Sequence, residues 1–447
     1  MVQAEREHWK TRAGFIAAAA GSAIGLGNIW RFPYIAGRYG GGAFVLVYIL
    51  LLIFVGYPVM NSELLLGRKT QKNPVGAFKM LAPGKPWVIV GFMGVLAGFI
   101  ILSYYSVVAG WALSYILKSG TYMAAGSDIG NIFVISISST FGGIFWHTLF
   151  MLLTIGIVYG GIEKGIERWS KILMPVLLIL LIILVIRSVT LPGAAEGLAF
   201  YLKPDFSKFS GEGFLAALGQ VFFTLSLGMG CMITYGSYLK KNEDLPLNAK
   251  YVVGADTLVA LLAGFVIFPA VFAFGLEPTT GPGLTFITLP AVFLQMGLAG
   301  HVFGSIFFIL LTIAALTSAI SLLEVVAAYF IDENKWNRKK ATIVMGIAIW
   351  FLGIFPSLGY STLSTVKVIG GRDILDSFDF FANNILLPLG GLLIAIFIGW
   401  FWGTDKALEE ANQGANTKLS TSYSFLIKYV VPIAVFIVFL NSIGILR

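Results

Sequence analysis

The stretch from residue 13 to residue 37 is apolar and long enough to cross a bilayer, yet it is interrupted. Gly21, Gly25 and Gly27 fall in its middle and Pro33 follows, in the run GSAIGLGNIWRFPY at 21–34. Glycine is a weak helix former, and proline removes a backbone donor. In hydrocarbon an unpaired backbone group is costly, so a broken helix persists only where something else satisfies the freed groups. A substrate and its coupling ions do that, and interrupted helices at mid-membrane mark a transporter's binding site. A second interrupted stretch, FFTLSLGMG at 222–230, carries Gly228 and Gly230 after Ser226. Small residues also allow close helix packing in membranes. Two breaks, each with polar residues at hand, point instead to two structural repeats around a shared site.

The remainder of the chain agrees with a membrane-embedded fold. Hydrophobic residues make up 57% and charged residues 12% of the 447 residues, a balance that soluble domains do not reach. Eleven spans are expected, near 13–37, 42–66, 87–117, 142–160, 166–188, 213–239, 251–275, 302–331, 341–356, 374–401 and 427–446. Each supplies most of the ~20 residues that a crossing needs. The segment 280–300, with Pro282, Gly283 and Pro290, reads as a re-entrant or capping hairpin between spans seven and eight. The first apolar run is broken and preceded by charge, so no cleavable signal peptide is expected. Cys231 is the one cysteine, which rules out an internal disulfide.

Charge sets the orientation. With the N-terminus in the cytoplasm, most of the 30 lysines and arginines collect on that side, in clusters such as Arg68–Lys69–Lys72 and Arg338–Lys339–Lys340. The net charge of +8 then needs no nucleic-acid partner. The expected fold is an all-α integral membrane protein, a single transmembrane domain over 1–447. Spans one to five form one repeat, about 13–188, and spans six to ten a second, about 213–401. An extra helix follows at about 427–446. Five is odd, so the second repeat enters from the opposite side, giving a 5+5 inverted topology with helices one and six broken.

The breaks offer defined chemistry. A half-helix N-terminus presents N–H groups and a positive dipole end, suited to a carboxylate. A half-helix C-terminus presents carbonyls, suited to a hard cation. Ser22 and Asn28 in the first break, with Thr224 and Ser226 in the second, add oxygens. A zwitterionic amino acid satisfies both kinds of end. Asp256 lies within span seven, and an intramembrane carboxylate is usually functional, although one near the interface is merely solvated. Thr317 and Ser318 in span eight form a pair that, alone, usually bonds back to its own helix. Tyr104 and Tyr105 carry hydroxyls that want partners in an apolar span.

Taken together, GSAIGLGNIWRFPY with GGGAF at 40–44, GQVFFTLSLGMG and LTSAISLLE resemble the neurotransmitter:sodium symporter family with its leucine-transporter fold, most closely the bacterial eleven-span amino-acid members. The resemblance covers spans one to ten. It implies a first sodium held by the carbonyls of Ala23 and Thr224, the side chains of Asn28, Thr224 and Asp256, and the substrate carboxylate. It implies a second sodium among Gly21, Ile24, Ala314, Thr317 and Ser318. The substrate carboxylate would meet the Gly27 amide and the Tyr105 hydroxyl. Its ammonium would meet the carbonyls of Ala23, Phe223 and Thr224 and the Ser226 hydroxyl. Ser22, Leu26, Ile101, Phe223, Met229, Ala319 and Leu322 would line the side-chain pocket. Arg31 and Asp379 match the outer charged gate, and Arg6 and Asp332 the inner one, with Trp9 packed near the inner first helix. Gly165 and Pro175 match the spacing that lets span five unwind and admit water to the second sodium.

Two departures shape the expected specificity. Chloride-binding members use a Tyr, a Gln and hydroxyls. Here Tyr48, Gln220 and Thr224 remain, but Ala260 stands at the last hydroxyl position and Asp256 one turn earlier, where Asn is common. A fixed negative charge beside the sodium removes the need for chloride. Met229 stands where the leucine-selective pocket has phenylalanine, and its flexibility, with the small Ala319, makes room for bulk. The resemblance and these departures imply a sodium-coupled importer of hydrophobic or aromatic L-amino acids in a bacterial inner membrane, not an enzyme, independent of chloride. A proton-coupled transporter using Asp256 and a non-transporting substrate sensor are the alternatives. The scattered His8, His147 and His301 have no metal-ligand spacing, and no filter sequence of a channel is found.

Overall fold

A chain this apolar closes its backbone hydrogen bonds within each segment, which leaves helices as the building unit. The computed structural model describes residues 6–121, 128–275 and 283–446, and within them the protein is a bundle of helices. Nine helices are long and apolar enough to cross a membrane among the described residues. They are span two (Gly42–Thr70), three (Val88–Ser119), four (Thr140–Tyr159), five (Ile162–Val189) and seven (Leu245–Ala273). Then come eight (Leu298–Asn334), nine (Arg338–Leu358), ten (Ile374–Asn412) and eleven (Thr421–Ser442). Span one is the bent pair Arg12–Ala23 and Gly27–Arg38, with 52° between its halves. Span six is two pieces, Gly211–Thr224 and Cys231–Gly236, neither long enough to cross alone. The eleven expected spans are therefore nine unbroken helices, one bent helix and one divided helix.

Span eight is the central post, with 89% of its apolar window buried, against 22% for span five and 28% for span eleven. It packs along span three over most of its length, and the inner half of span one lies against it. The two broken helices stand at the first position of each set of five, inside this packing. The outer piece of span six leans on spans two, ten and eleven, and the inner piece on spans two and eight. Among the described residues, shorter helices sit between spans, Pro74–Leu81 between two and three being one of them. Ile129–Ser138 and Ala194–Leu202 are too short to show a clear period in the sequence. The hairpin expected at 280–300 is a short helix, Leu289–Gln295, turned back onto the head of span eight at Gly297; residues 280–282 lie outside the described ones.

The backbone explains why span six divides. Ser226, Gly228 and Gly230 all take positive φ, at 53°, 79° and 77°. A left-handed residue ends a right-handed helix, and glycine adopts that conformation without steric cost. A Cβ on Gly228 would collide with the Leu387 carbonyl of span ten, so neither the conformation nor the space admits a side chain there. The Gly228 N–H set free by the break donates to Glu63 Oε1 of span two at 2.7 Å. Lower down, the inner end of span two is pinned by a fully buried ion pair, Arg68 Nε to Glu410 Oε1 at 3.1 Å. Arg68 also donates to the Glu243 carbonyl at 2.8 Å, tying span two to the loop after span six and to the helical tail of span ten.

Gly228→Ala is expected to cost about 1–3 kcal/mol from backbone strain and to lower the melting temperature of the detergent-purified protein. Gly219→Ala, where a Cβ meets nothing within 4 Å, is the control and is expected to be neutral or slightly stabilising.

Candidate substrate and ion site

The two breaks face each other across a small chamber. Its walls are Ser22, Ala23, Gly25, Leu26 and Gly27 of span one, Ile101 and Tyr105 of span three, Phe223, Thr224, Ser226 and Met229 of span six, and Ser318 and Leu322 of span eight. Every residue expected to line the substrate pocket is among them except Ala319. Ala319 is fully buried and is not among the residues that border the chamber. Gly25 and Ser318 join the wall in its place. None of the thirteen lining residues is charged. One end of the chamber carries N–H groups, hydroxyls and carbonyls; the other is apolar.

Several freed backbone groups of span one are held by side chains, one from span one itself and the others from spans three, six and eight. Asn28 Oδ1 accepts from the Gly25 N–H at 3.0 Å, and the Tyr105 hydroxyl accepts from the Leu26 N–H at 3.2 Å. Gln220 Nε2 donates to the Gly27 carbonyl at 2.8 Å. Ser226 and Ser318 both donate to the Ser22 carbonyl, at 2.8 and 3.1 Å. A Cβ on Gly25 would sit 3.0 Å from the Tyr105 oxygen, and one on Gly27 would sit 2.8 Å from the Phe223 ring, so glycine is needed for this approach.

At one side of the chamber Asp256 is completely buried, which removes the reading of a solvated interfacial carboxylate. Its Oδ1 accepts from Asn28 Nδ2 at 2.7 Å and from Thr224 Oγ1 at 3.0 Å, while Oδ2 accepts from Thr224 Oγ1 at 3.2 Å. It makes no ion pair among the described residues. A buried charge without a counter-charge costs several kcal/mol. A carboxylate, an amide and a hydroxyl, with neither sulfur nor imidazole, are a donor set that suits a hard monovalent cation once Asn28, whose Nδ2 here faces Asp256, presents its oxygen. Ala23, the remaining residue of the expected first sodium site, lines the same chamber beside Thr224. Nearby, the buried Gln220 side-chain oxygen has no hydrogen-bond partner among the described residues, the Tyr48 hydroxyl is buried close to Asp256 and Thr224, and Ala260 sits one turn beyond Asp256.

A second oxygen cluster lies between spans one and eight. Ser318 Oγ reaches the Ile24 carbonyl at 3.3 Å and the Ala314 carbonyl at 3.3 Å, and Thr317 Oγ1 reaches the Ala314 carbonyl at 3.1 Å. Thr317 also faces Gly21, where a Cβ would lie 3.1 Å from its own. All five residues expected at the second sodium site are thus brought together. Met174 of span five lies against Gly21, its sulfur 2.9 Å from where a Gly21 Cβ would be. Pro175 follows it inside the helix, and Gly165 lies in the π-helical turn Ile162–Glu167 at the start of span five.

The two expected gates differ in state. Arg6 Nη1 meets Asp332 at 2.5 and 2.6 Å, and Trp9 is buried with its indole donating to the Tyr235 carbonyl at 3.0 Å. Arg31 and Asp379 line one cavity above the chamber but form no ion pair within 4.0 Å. Arg31 lies over the Phe223 ring at 4.8 Å, and Asp379 instead accepts from Asn383 at 2.6 Å. Phe223 and Tyr105 border both the cavity and the chamber. Of the two charged pairs expected as gates, Arg6–Asp332 is made and Arg31–Asp379 is apart.

The Sodium:neurotransmitter symporter family profile matches residues 6–136 and 127–447. The chain belongs to the sodium:neurotransmitter symporter family. It is 43% identical over 447 residues to the sodium-dependent transporter YhdH of Bacillus subtilis, covering 98% of both chains. It is 37% identical to the sodium-dependent transporter MJ1319 of Methanocaldococcus jannaschii, over 99% of this chain and 92% of that one. The crystal structure of MhsT in complex with L-phenylalanine is similar with a TM-score of 0.90 at 50% identity, covering 98% of this chain and 100% of that chain. The protein is therefore a sodium-dependent symporter of this family, a multi-pass membrane protein and not an enzyme.

Three contributors escaped the sequence reading. Glu63, completely buried, caps the span-six break, and Gln220 serves the Gly27 carbonyl rather than only an anion position. Met174 packs beside Gly21 of the oxygen cluster. A carboxylate in NSELLLGRK was the available signal for Glu63, masked by the charged inner end of the span.

Asp256→Asn removes the negative charge and keeps the size. Sodium affinity, read from tryptophan fluorescence titration, is expected to fall at least about tenfold, consistent with the ~2–5 kcal/mol attached to buried charge pairs.

Proposed function

We propose that the protein imports hydrophobic and aromatic L-amino acids, such as Tyr, Trp, Phe or Leu, together with sodium, by alternating access. The observation that carries this reading is the chamber itself, polar at one end, apolar at the other and without a charged side chain in its wall. A zwitterion satisfies the polar end. Its carboxylate faces the Gly27 amide and the Tyr105 hydroxyl at the head of the outer half-helix, where the dipole favours negative charge. Its ammonium faces the carbonyls of Ala23, Phe223 and Thr224 and the Ser226 hydroxyl. Leu26, Ile101, Met229 and Leu322 take the side chain, and Met229 adapts to its bulk. The similar MhsT was solved with L-phenylalanine bound, which supports this substrate class.

Two sodium ions accompany the substrate. One sits with Ala23, Asn28, Thr224, Asp256 and the substrate carboxylate, so that ion and substrate strengthen each other's binding reciprocally. The other sits with Gly21, Ile24, Ala314, Thr317 and Ser318. Each charge moving inward across 100 mV contributes ~2.3 kcal/mol. Asp256 supplies the negative charge that chloride would bring, and Ala260 offers no hydroxyl to it, so transport proceeds without chloride. Closure joins Arg31 to Asp379 over Phe223, and inward opening parts Arg6 from Asp332. Unwinding of span five between Gly165 and Pro175 releases the second sodium. The chain is one transmembrane domain of two inverted repeats, about 13–188 and 213–401, with an extra helix at about 427–446. It resides in a bacterial cell membrane with its N-terminus in the cytoplasm.

A proton-coupled reading rests on one observation, the buried Asp256 without an ion pair among the described residues. Proteoliposomes distinguish the two. An inward sodium gradient at equal pH is expected to drive tyrosine uptake, and a proton gradient without sodium is not. Excess phenylalanine or leucine is expected to compete fully, and glutamate or lysine weakly. Replacing chloride by gluconate is expected to leave the rate unchanged. Equal competition by glutamate defeats the substrate class, and a clear chloride stimulation defeats the role given to Asp256.

A further inference from the structure

The segment ahead of span one is fastened by more than the Arg6–Asp332 pair. Glu7 Oε1 accepts from Arg338 Nε at 2.8 Å, and its Oε2 accepts from the Ile162 backbone N–H at 2.7 Å. Ile162 is the first residue of span five. The first N–H groups of a helix have no partner within it. The residue before, Gly161, takes φ +81° and offers no side-chain cap. Glu7 therefore caps span five from another part of the chain. A Cβ on Gly161 would lie 3.1 Å from Glu7 Oε2, so glycine there keeps the path open for the carboxylate. The turn that receives this cap, Ile162–Glu167, is π-helical, a form that survives mainly as single turns at functional positions.

The same carboxylate is wired to the inner gate. Arg338 of span nine, which it holds, also donates to Glu324 of span eight at 2.7 and 3.1 Å. Glu324 is fully buried and accepts from the Tyr238 hydroxyl at 2.5 Å. The Tyr238 ring lies 4.7 Å from the Arg6 guanidinium, which holds Asp332. One run of contacts thus passes from Asp332 through Arg6, Tyr238, Glu324, Arg338 and Glu7 to the first turn of span five.

We infer that Glu7 is a positioning residue of the transport cycle, keeping the first turn of span five wound only while the N-terminal segment is docked. Undocking at the inner mouth and unwinding from Gly160 to Glu167 then occur as one event. The consequence for transport rests on the alternating-access reading above; the cap itself does not. Glu7→Ala removes both contacts. Glu7→Gln keeps an acceptor for the Ile162 N–H and gives up the charge pair with Arg338.

Hydrogen exchange measured by mass spectrometry on the full-length protein, in sodium-free detergent buffer, separates these outcomes. In Glu7→Ala the peptide covering 160–168 is expected to exchange at least fivefold faster than wild type, and in Glu7→Gln less than twofold faster. Peptides from spans three and eight are expected to stay unchanged, which marks the effect as local. Lys10→Ala, which cuts only the exposed pair with Glu163, is expected to leave 160–168 within twofold. In uptake assays Glu7→Ala is expected to change the maximal rate at least threefold with KM within twofold, and Glu7→Gln to restore the rate. Wild-type exchange at 160–168 in Glu7→Ala, or equal acceleration in Glu7→Gln, overturns the inference. Should Glu7→Ala not fold, Glu7→Asp takes its place: it keeps the charge but shortens the reach, a threefold acceleration supports the cap and none refutes it. Exchange needs no transport, so failed uptake by the wild type would count against the proposed function and leave this inference to the exchange data.

Discussion

A backbone amide or carbonyl that leaves its helix inside a membrane protein must find a partner at once, and the whole centre of this molecule follows from that. The Gly228 N–H goes to Glu63, the Leu26 N–H to Tyr105, the Gly25 N–H to Asn28, the Gly27 carbonyl to Gln220 and the Ser22 carbonyl to Ser226 and Ser318. Most of these partners come from a different span. Span six therefore supplies partners to span one, and spans two, three and eight supply others. Such mutually dependent polar networks fix one arrangement tightly when every member is satisfied. The chamber is the space left between the two completed breaks.

The two sides of that chamber are built from different interactions. Toward the N-terminal segment stand interlocking charges, Arg6 with Asp332, Arg338 with Glu324 and Glu7, beside the buried Trp9. The other side is bordered by aromatic rings, with Arg31 resting on Phe223 and Asp379 occupied by Asn383. The first is a cluster in which several charge pairs share partners, whereas the second comes down to where one ring and one guanidinium stand.

Much of this was legible in the sequence because it violated the local rules of an apolar helix. Glycines and a proline inside apolar runs revealed both breaks, and a carboxylate inside GADTLVALL revealed Asp256. The oxygen cluster at Gly21, Ile24, Ala314, Thr317 and Ser318 was not visible from the residues themselves, since hydroxyls on membrane helices usually serve their own turn; it came from the family resemblance. Other features depend on tertiary direction rather than pattern. Ala319 was expected in the chamber wall and does not border it, while Ser318 beside it does. Glu63 stood close enough to Arg68 and Lys69 to read as part of a charged edge, and only the packing of span six over it shows its burial. Arg31 and Asp379 are neighbours across a cavity and not a bonded pair, because their separation belongs to the state of the molecule and is not written in the residue types.

Met174 sets a thioether beside Gly21, at the edge of the oxygen cluster between spans one and eight. A thioether is a soft, polarizable donor with little attraction for a hard alkali ion. If sodium rests between Gly21 and Thr317 as proposed, this neighbour does not compete with the surrounding oxygens, and the grip on the ion is left to the hydroxyls and carbonyls alone.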